Sequence, residues 1–480
     1  ANNFIYRHCN QKEKNMKKLV FLLLQLISIF LMTACVQEKK YMNAQVEDYI
    51  VCSFGGLPSS LNMLDNNSKK GEELYKYLFE GLVNMNRSKE IIPALAESWE
   101  IEDNGIQYTF HIREKACWSD GSPIYAKDVE DFFKYILSRE AENPMARELY
   151  PIFGSEDYYN GKVEFDQVAI RATDAKTLVI RLNRSYPKFL EVLSKPRYVI
   201  RKSKLKLENW KDNYSNIAYS GPFIISAIEE KGVVLSKNPS YWDSENITDE
   251  KFLLLSEISK EEALAAYESG QVDIIYNPPL SEVERFISSD NTIIVNSDDV
   301  IALCFNESSG TIGYERNIKK EIMKYINVDN LVKQGLAVFK PNEYGIFKLI
   351  NLDYNVINSG TGASVDSDED ISLVLVTDSD DINKRIVKKL VEQVEESKNI
   401  KIKTKYIIAE EFQEEIEKGQ YDIILRRYNK EFIDNYKYIL EDHVIVPIFN
   451  CSDVIIKNKY IDGVKIDAEG NIILNKVYQK

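Results

Sequence analysis

The chain has 480 residues, of which 44% are hydrophobic and 28% charged, a balance typical of globular proteins and a length that suits two or three domains. The formal net charge is −14, and because five basic residues and one acidic residue precede Cys35, the chain from Cys35 onward carries about −18. Such a charge repels phosphate backbones and anionic headgroups, which argues against nucleic acid or an anionic membrane surface as a ligand.

The N-terminal region has the pattern of an export signal. Lys17 and Lys18 precede an apolar stretch at residues 19–32. At about 1.5 Å per residue this stretch is too short to cross a hydrocarbon core of about 30 Å. The sequence Met32-Thr33-Ala34-Cys35 that follows resembles the bacterial lipobox, in which a signal peptidase cuts before the cysteine and the thiol carries a diacylglycerol. An ordinary export signal with an incidental cysteine is the alternative.

This pattern predicts how the N-terminus is organised. Met16 is the expected translation start, with residues 1–15 an upstream artefact, 16–34 a lipoprotein signal peptide and 35–45 a lipidated tether. The expected location is outside the cytoplasm, anchored to the bacterial cell membrane by a lipid on Cys35. This lipid is the only membrane contact that we expect.

The body of the chain opens with a strand pattern and a helix pattern. The first lies at residues 49–54, before a Gly-Gly-Leu-Pro turn, and the second at residues 72–82, where Leu74, Tyr77, Leu78 and Leu82 have helical spacing. A hairpin is predicted at residues 99–112, because alternating apolar residues flank the Asp-Asn-Gly turn at 103–105. His111 on its polar face is interpreted as a solvent or packing residue rather than a ligand.

Further elements follow in order. One apolar face, formed by Val129, Phe132, Phe133 and Ile136, predicts a helix. Residues 177–182 alternate as a strand, and a second hairpin is expected from residue 219 to residue 236.

One short sequence occurs twice. Residues 268–275 read ESGQVDII and residues 417–424 read EKGQYDII, identical at six of eight positions. In each copy a helix pattern ends at glycine and a β-rich run follows, and a capping box at Ser259 and Glu262 opens the first helix. Each unit delivers a loop at the carboxyl end of its strand, where open α/β sheets bind ligands. The repeat predicts two similar lobes sharing one cleft, with chance identity the alternative. The two loops are residues 276–279 and 426–429.

Metal sites and catalytic motifs are not expected. Beyond the anchor the cysteines are Cys52, Cys117, Cys304 and Cys451. They are far apart, lack CxxC spacing and are accompanied only by His111 and His443, so no cofactor is predicted. Buried thiols are favoured over disulfides, with Cys304–Cys451 the pair to test. The chain has no GxSxG, Cys/His pairing or phosphate loop, and its paired acids lie on predicted helix surfaces, so we predict that it is not an enzyme.

Several motifs carry a family resemblance. LAESWEIEDNG, YTFHIRE and WSDGSPIYAKDV occur between residues 95 and 129, followed by SGPF and KNPSYWD between 220 and 243. In order and spacing they resemble the family 5 extracytoplasmic solute-binding proteins, and most closely the oligopeptide-binding branch. The resemblance runs from about Val51 to Asn330 and resumes from about Ser372 to Asn429.

The resemblance implies an α/β fold that is bilobal and periplasmic-binding-protein-like (class II, family 5), with an extra subdomain in the first lobe and a shortened second lobe. Relative to the family, the chain after Phe432 lacks a long helical stretch. A hinge is expected near residues 299–306 and 443–450. The implied domains are a first lobe of 46–85, 200–298 and 445–480, a family-specific subdomain of 86–199, and a second lobe of 299–444.

The resemblance also implies a function. A lipid-anchored receptor would capture short extended peptides by closing two lobes around them, and would deliver them to the permease subunits of an ABC importer. A monomer is expected. The alternative is a sensor, pheromone binder or degenerate paralogue of the same fold with narrow, acidic-ligand specificity.

In the oligopeptide-binding branch the second repeat strand leads into a motif R-A-G-W-x-A-D-Y. Aligned with it, Tyr428 takes the position of the wall-forming tryptophan and Glu431 that of the aspartate that binds the peptide ammonium. Arg426 and Arg427 replace alanine and glycine, which adds bulk and positive charge near the expected ligand. The residues expected to contact ligand are Gly56, Leu57, Pro58, Tyr276, Asn277, Pro278, Arg426, Arg427, Tyr428, Asn429 and Glu431.

Overall fold

The computed structural model describes residues 49–62, 69–202, 204–287, 289–306, 322, 324–327, 347–349, 370–379, 381–397, 399–429, 445–467 and 470–480. The predicted signal peptide, Cys35, the tether and Glu431 lie outside these residues. Within them, no helix has the length and apolar character needed to cross a membrane.

The α-helices whose bounds the described residues define are α1 (Lys69–Leu78), α2 (Ala126–Ile136), α3 (Ser155–Tyr159), α4 (Phe189–Leu193), α5 (Lys204–Glu208), α6 (Trp210–Asn213), α7 (Lys260–Glu268), α8 (Leu280–Ile287), α9 (Asp381–Val394) and α10 (Ala409–Glu417). The strands of the first half of the chain are β1 (Tyr49–Ser53), β2 (Val83–Met85), β3 (Ile91–Pro93), β4 (Ala96–Glu102), β5 (Gln107–Ile112), β6 (Ile170–Ala172), β7 (Thr177–Arg181), β8 (Phe223–Glu229), β9 (Gly232–Lys237), β10 (Lys251–Leu255) and β11 (Ile274–Tyr276). The later strands are β12 (Thr292–Phe305), β13 (Phe347–Leu349), β14 (Ile371–Asp378), β15 (Ile400–Ile407), β16 (Ile423–Asn429), β17 (Ile445–Lys457), β18 (Ile461–Asp462), β19 (Lys465–Ile466), β20 (Ile472–Ile473) and β21 (Tyr478–Gln479).

Local sequence accounts for the predicted hairpin and helix of residues 96–136. β4 and β5 pair antiparallel, and the turn between them holds Asp103 and Asn104 at positive φ, which short polar residues tolerate. In β5 the buried residues alternate with half-buried ones, as the pattern predicts. The apolar face of α2 is buried, and the Asp128 carboxylate caps the helix by accepting the Tyr125 N–H at 2.8 Å.

A separate hydrophobic core surrounds the four-stranded sheet β4-β5-β7-β6. Its residues are drawn from positions 82–200, and among the largest fully buried side chains are Trp118, Phe110, Phe133 and Phe189. This part of the chain therefore buries an apolar interior of its own.

The principal sheet has eleven strands among the described residues, in the order β15-β14-β16-β12-β17-β11-β1-β10-β9-β8, with β13 beside β17. The sheet is nearly symmetric about its centre, where β12 lies beside β17. Moving outward, one side has β17, β11, β1 and β10, and the other has β12, β16, β14 and β15. On both sides the successive pairings are antiparallel, parallel and parallel. We call β1 and β8–β11 the first half of this sheet, and β14–β16 the second half.

The two central strands, β12 and β17, connect the halves. Their pairing shifts register twice: from Asn296 to Val300, β12 advances four residues while its partners on β17 advance only from Ser452 to Asn450. The second shift lies where Ala302 faces Pro447. Because proline has no N–H to donate, it is tolerated within a sheet mainly at such irregular positions. We call this interrupted stretch the central bulge.

One predicted boundary was wrong. The helix predicted to reach Leu82 ends at Leu78, and Leu82 lies between α1 and β2, in the core of the four-stranded sheet. β17 runs from Ile445 to Lys457. It extends this far because β12 pairs with it as far as Ile456 and β11 as far as Lys457.

Candidate functional site

The doubled sequence forms the same unit twice, as predicted. α7 and α10 both end just before a glycine, Gly270 with φ of 76° and Gly419 with φ of 65°. A Cβ at either position would meet no atom within 4 Å, so backbone conformation rather than space favours glycine. The strands β11 and β16 follow.

The aspartate within each copy makes an equivalent pair of contacts with the neighbouring parallel strand. Asp273 accepts the Val51 N–H at Oδ2 (2.8 Å) and donates its own N–H to the Val51 carbonyl (2.8 Å). Asp422 does the same with Val374, at 2.8 Å and 2.9 Å. Each carboxylate thus satisfies a backbone N–H of an interior strand, and leaving such a group without a partner would cost free energy.

An asparagine completes each unit. The Asn458 N–H donates to the Asp273 carbonyl, and the Asn306 N–H donates to the Asp422 carbonyl, both at 2.8 Å. Each asparagine side chain also donates to the carbonyl one residue before the aspartate, at 3.2 Å for Asn458 and 2.8 Å for Asn306. The two halves of the sheet are therefore built alike at the level of single hydrogen bonds.

The first loop is held firmly at the carboxyl end of β11. Asn277 has a φ of 48°, and its backbone N–H donates to the Val454 carbonyl at 2.7 Å. Its side chain accepts the Val454 N–H at 2.8 Å and donates to Asp453 Oδ1 at 2.9 Å. Tyr276 donates its N–H to Ser53 Oγ at 3.0 Å, which joins this loop to the end of β1. A ligand that bonds the Asn277 amide must compete with these contacts.

Asp453 joins the two predicted loops. Its side chain is 2% exposed and lies on β17, where it accepts from Asn277 and from the Tyr276 hydroxyl (3.4 Å) of the first loop. Arg427 of the second loop donates Nη2 to Asp453 Oδ1 at 3.0 Å and is 34% exposed. Burial raises the pKa of Tyr276, and the nearby Asp453 carboxylate raises it further.

Arg426 has a different environment from Arg427. Its guanidinium carbon lies 5.4 Å from the Phe412 ring centre and 5.2 Å from that of Tyr428, within the distance of a cation–π contact. Tyr428 and Cys304 are hydrogen-bonded to each other, and burial raises the pKa of both groups. Since successive residues of a strand point to opposite faces, the two arginines lie on opposite faces of β16.

The remaining predicted residues are spread along strand ends. Gly56 is exposed, Leu57 packs against the core of the principal sheet, and the Pro58 carbonyl accepts the Trp210 Nε1–H at 3.0 Å. Gly55, rather than Gly56, has a positive φ, of 93°. Pro278 is buried, and Asn429 is paired with Asp299 of β12.

The structure thus brings Tyr276, Asn277 and Arg427 together around Asp453. Arg426 and Tyr428 lie apart from this group, on the opposite face of β16, which faces α10. Sequence reasoning missed Asp453. Its only signal was an aspartate within the apolar strand run CSDVIIK.

A disulfide between Cys304 and Cys451 does not fit the structure. Cys304 is a free thiol, and it faces Ile445 on β17, six residues from Cys451. At about 3.3 Å per strand residue this is about 20 Å, whereas a disulfide requires Cα atoms within about 7 Å.

Comparisons with known proteins give the family. Residues 90–336, half of the chain, match the family described as bacterial extracellular solute-binding proteins, family 5 Middle. The dipeptide-binding protein DppE of Bacillus subtilis is 29% identical over 269 residues, covering 55% of this chain and 49% of that protein. The oligopeptide-binding protein OppA of the same organism is 32% identical over 214 residues, covering 44% and 39%. The aligned part of the chain spans about half the length of these curated relatives, or less.

A solved structure extends the likeness to the whole described fold. The murein tripeptide binding protein MppA of Escherichia coli superposes with a TM-score of 0.74 at 18% identity, covering 91% of this chain and 99% of that one. The chain belongs to family 5 of the bacterial extracellular solute-binding proteins and has the α/β fold of that family.

Proposed function

We propose that this protein is the lipid-anchored receptor of an ABC importer and captures short peptides outside the cell. The observation that carries the proposal is the pair of repeat units, whose strands β11 and β16 both end beside Asp453. A ligand lying across these two strand ends would touch both halves of the sheet, so that bending at the central bulge could close the halves around it. DppE, OppA and MppA are named for dipeptide, oligopeptide and murein tripeptide binding, which supports a peptide ligand.

Main-chain hydrogen bonding supplies the chemistry. An extended peptide offers N–H and carbonyl groups at every residue, so affinity can be nearly independent of sequence. In the proposal Glu431 pairs with the peptide ammonium, and Tyr428 forms part of the wall beside it. Cys35 carries the lipid.

The contacts of the two arginines weigh against the narrow acidic-ligand alternative. Arg426 lies against two aromatic rings and Arg427 against a buried carboxylate. The Asp453 carboxylate therefore offsets the positive charge of Arg427, while the two rings hold Arg426 on the opposite face of β16 without changing its charge.

Thermal-shift titration with a pool of tri- to pentapeptides tests the proposal, with N-acetylated peptides of the same sequences as the matched control. Free peptides should raise the unfolding temperature and acetylated ones should raise it less, because acetylation removes the ammonium that Glu431 binds. The Glu431→Gln variant should remove the difference between the two pools. No shift with either pool would contradict peptide capture. For the anchor, a palmitate analogue should label wild-type cells and not a Cys35→Ser variant.

A further inference from the structure

The central bulge is the place where the two halves of the sheet are least firmly joined by backbone. Between Asn296 and Ala302 the pairing of β12 with β17 shifts register twice, so regular ladder bonds are interrupted there. On one side of the bulge β17 is fixed to the first half through Asn277 and β11. β16 runs alongside β12 from Asp299 to Phe305, so this ladder begins within the bulge and continues past it.

An ion pair connects the two sides. Asp453 faces Val295 in the β12–β17 ladder, on the first-half side of the bulge. Arg427 faces Ile301 in the β12–β16 ladder, beyond the first register shift and just before the second. The bond of 3.0 Å between their side chains therefore passes over the first register shift of β12 and ties β16 to β17.

The surroundings make this pair costly to separate. Asp453 is 2% exposed, and Asn277 and Tyr276 also donate to it, so it cannot follow Arg427 without breaking contacts in the first half. Moving the arginine away would leave a buried carboxylate with less compensating charge, which is far more costly than separating a surface pair. A change in the angle between the halves at the bulge has to stretch or break this contact.

We propose that Arg427 and Asp453 are a positioning pair that holds the two halves of the sheet at the angle seen here and thereby sets the affinity for ligand. The role that we assign to the pair is exerted through the hinge. The effect on affinity rests on the proposed peptide-binding function, whereas the effect on the angle does not.

The test compares Arg427→Gln with Arg427→Lys and with Lys418→Gln. Lys418 is the matched control, because it lies between α10 and β16 and its two ion pairs, with Glu414 and Glu415 at 3.2 Å, stay within its own chain segment. Small-angle scattering of the ligand-free proteins measures the radius of gyration, and titration with the peptide pool measures the dissociation constant. Circular dichroism verifies folding, and the double variant R427Q/D453N replaces R427Q if the buried charge alone prevents folding.

We expect R427Q to raise the radius of gyration and to weaken peptide binding on the order of tenfold, because fewer molecules hold the binding-competent angle. R427K should give intermediate values, and Lys418→Gln should match wild type in both measurements. An unchanged radius of gyration in R427Q, or an equal change in Lys418→Gln, would overturn the positioning pair. If wild type binds no peptide at all, the proposed function fails, while the comparison of radii still decides this inference.

Discussion

The aspartates of the doubled sequence should be among the most important polar residues for stability. Replacing Asp273, which is 6% exposed, with alanine removes the acceptors of the Val51 N–H (2.8 Å) and the Tyr460 hydroxyl (2.6 Å). Hydrogen bonds to charged groups contribute about 1.5–3 kcal/mol each, but Tyr460 is partly exposed and can turn to water, whereas the Val51 N–H cannot. The expected loss is about 3 kcal/mol, a large part of a typical unfolding free energy of about 5–15 kcal/mol.

Urea denaturation measures this loss, and hydrogen exchange locates it. In Asp273→Ala the Val51 amide should exchange faster, while in Asp422→Ala the Val374 amide should do so and Val51 should stay protected. Asp249→Ala is the control, since that carboxylate pairs with Lys237 while 91% exposed and should cost about 0–1 kcal/mol. If Asp273→Ala is no less stable than Asp249→Ala and Val51 keeps its protection, the contacts of Asp273 do not stabilise the fold as proposed.

Three further predictions concern single residues. Gly463→Ala should destabilise the protein far more than Gly270→Ala. Both glycines have positive φ (72° and 76°), but only the Cβ at position 463 would overlap a backbone carbonyl oxygen. Equal decreases in unfolding temperature would contradict this. Burial raises the pKa of Glu80 from 4.5 to about 7 despite hydrogen bonds from Tyr241 and Trp242, so folding favours its protonated form. The free energy of unfolding should therefore fall as the pH rises from about 4.5 to about 7, and Glu80 should contribute little further change above pH 7. Glu80→Gln should flatten this dependence of stability on pH. An unchanged dependence would exclude Glu80 as its cause. Burial raises the pKa of the Cys304 thiol to about 11, so iodoacetamide at about pH 8 should modify Cys304 only after unfolding. If peptide mapping finds Cys304 modified before unfolding, the thiol is accessible in the folded protein.

Local patterns predicted the units of this fold well. The capping box at Ser259 and Glu262 forms with both reciprocal bonds at 3.2 Å, and both repeat glycines take the left-handed conformation that the pattern requires. These features depend on residues within one turn of helix or one strand, so the sequence carries their full specification.

The contacts that join the halves could not be predicted in this way. Asp273 meets a strand 222 positions earlier in the chain, and Asn277 meets Asp453 across 176 positions. Strand order decides such partners, and no local pattern records it. The alignment with the family motif assigned Arg427 a role toward ligand, but its partner Asp453 became visible only once β16 and β17 were placed on either side of β12.

Native mass spectrometry of residues 41–480, purified gently from rich medium, shows whether this protein captures peptides. We expect a ladder of bound masses that match short peptides and disappear on mild unfolding. A protein that carries no adduct and also ignores an added peptide library would contradict peptide capture.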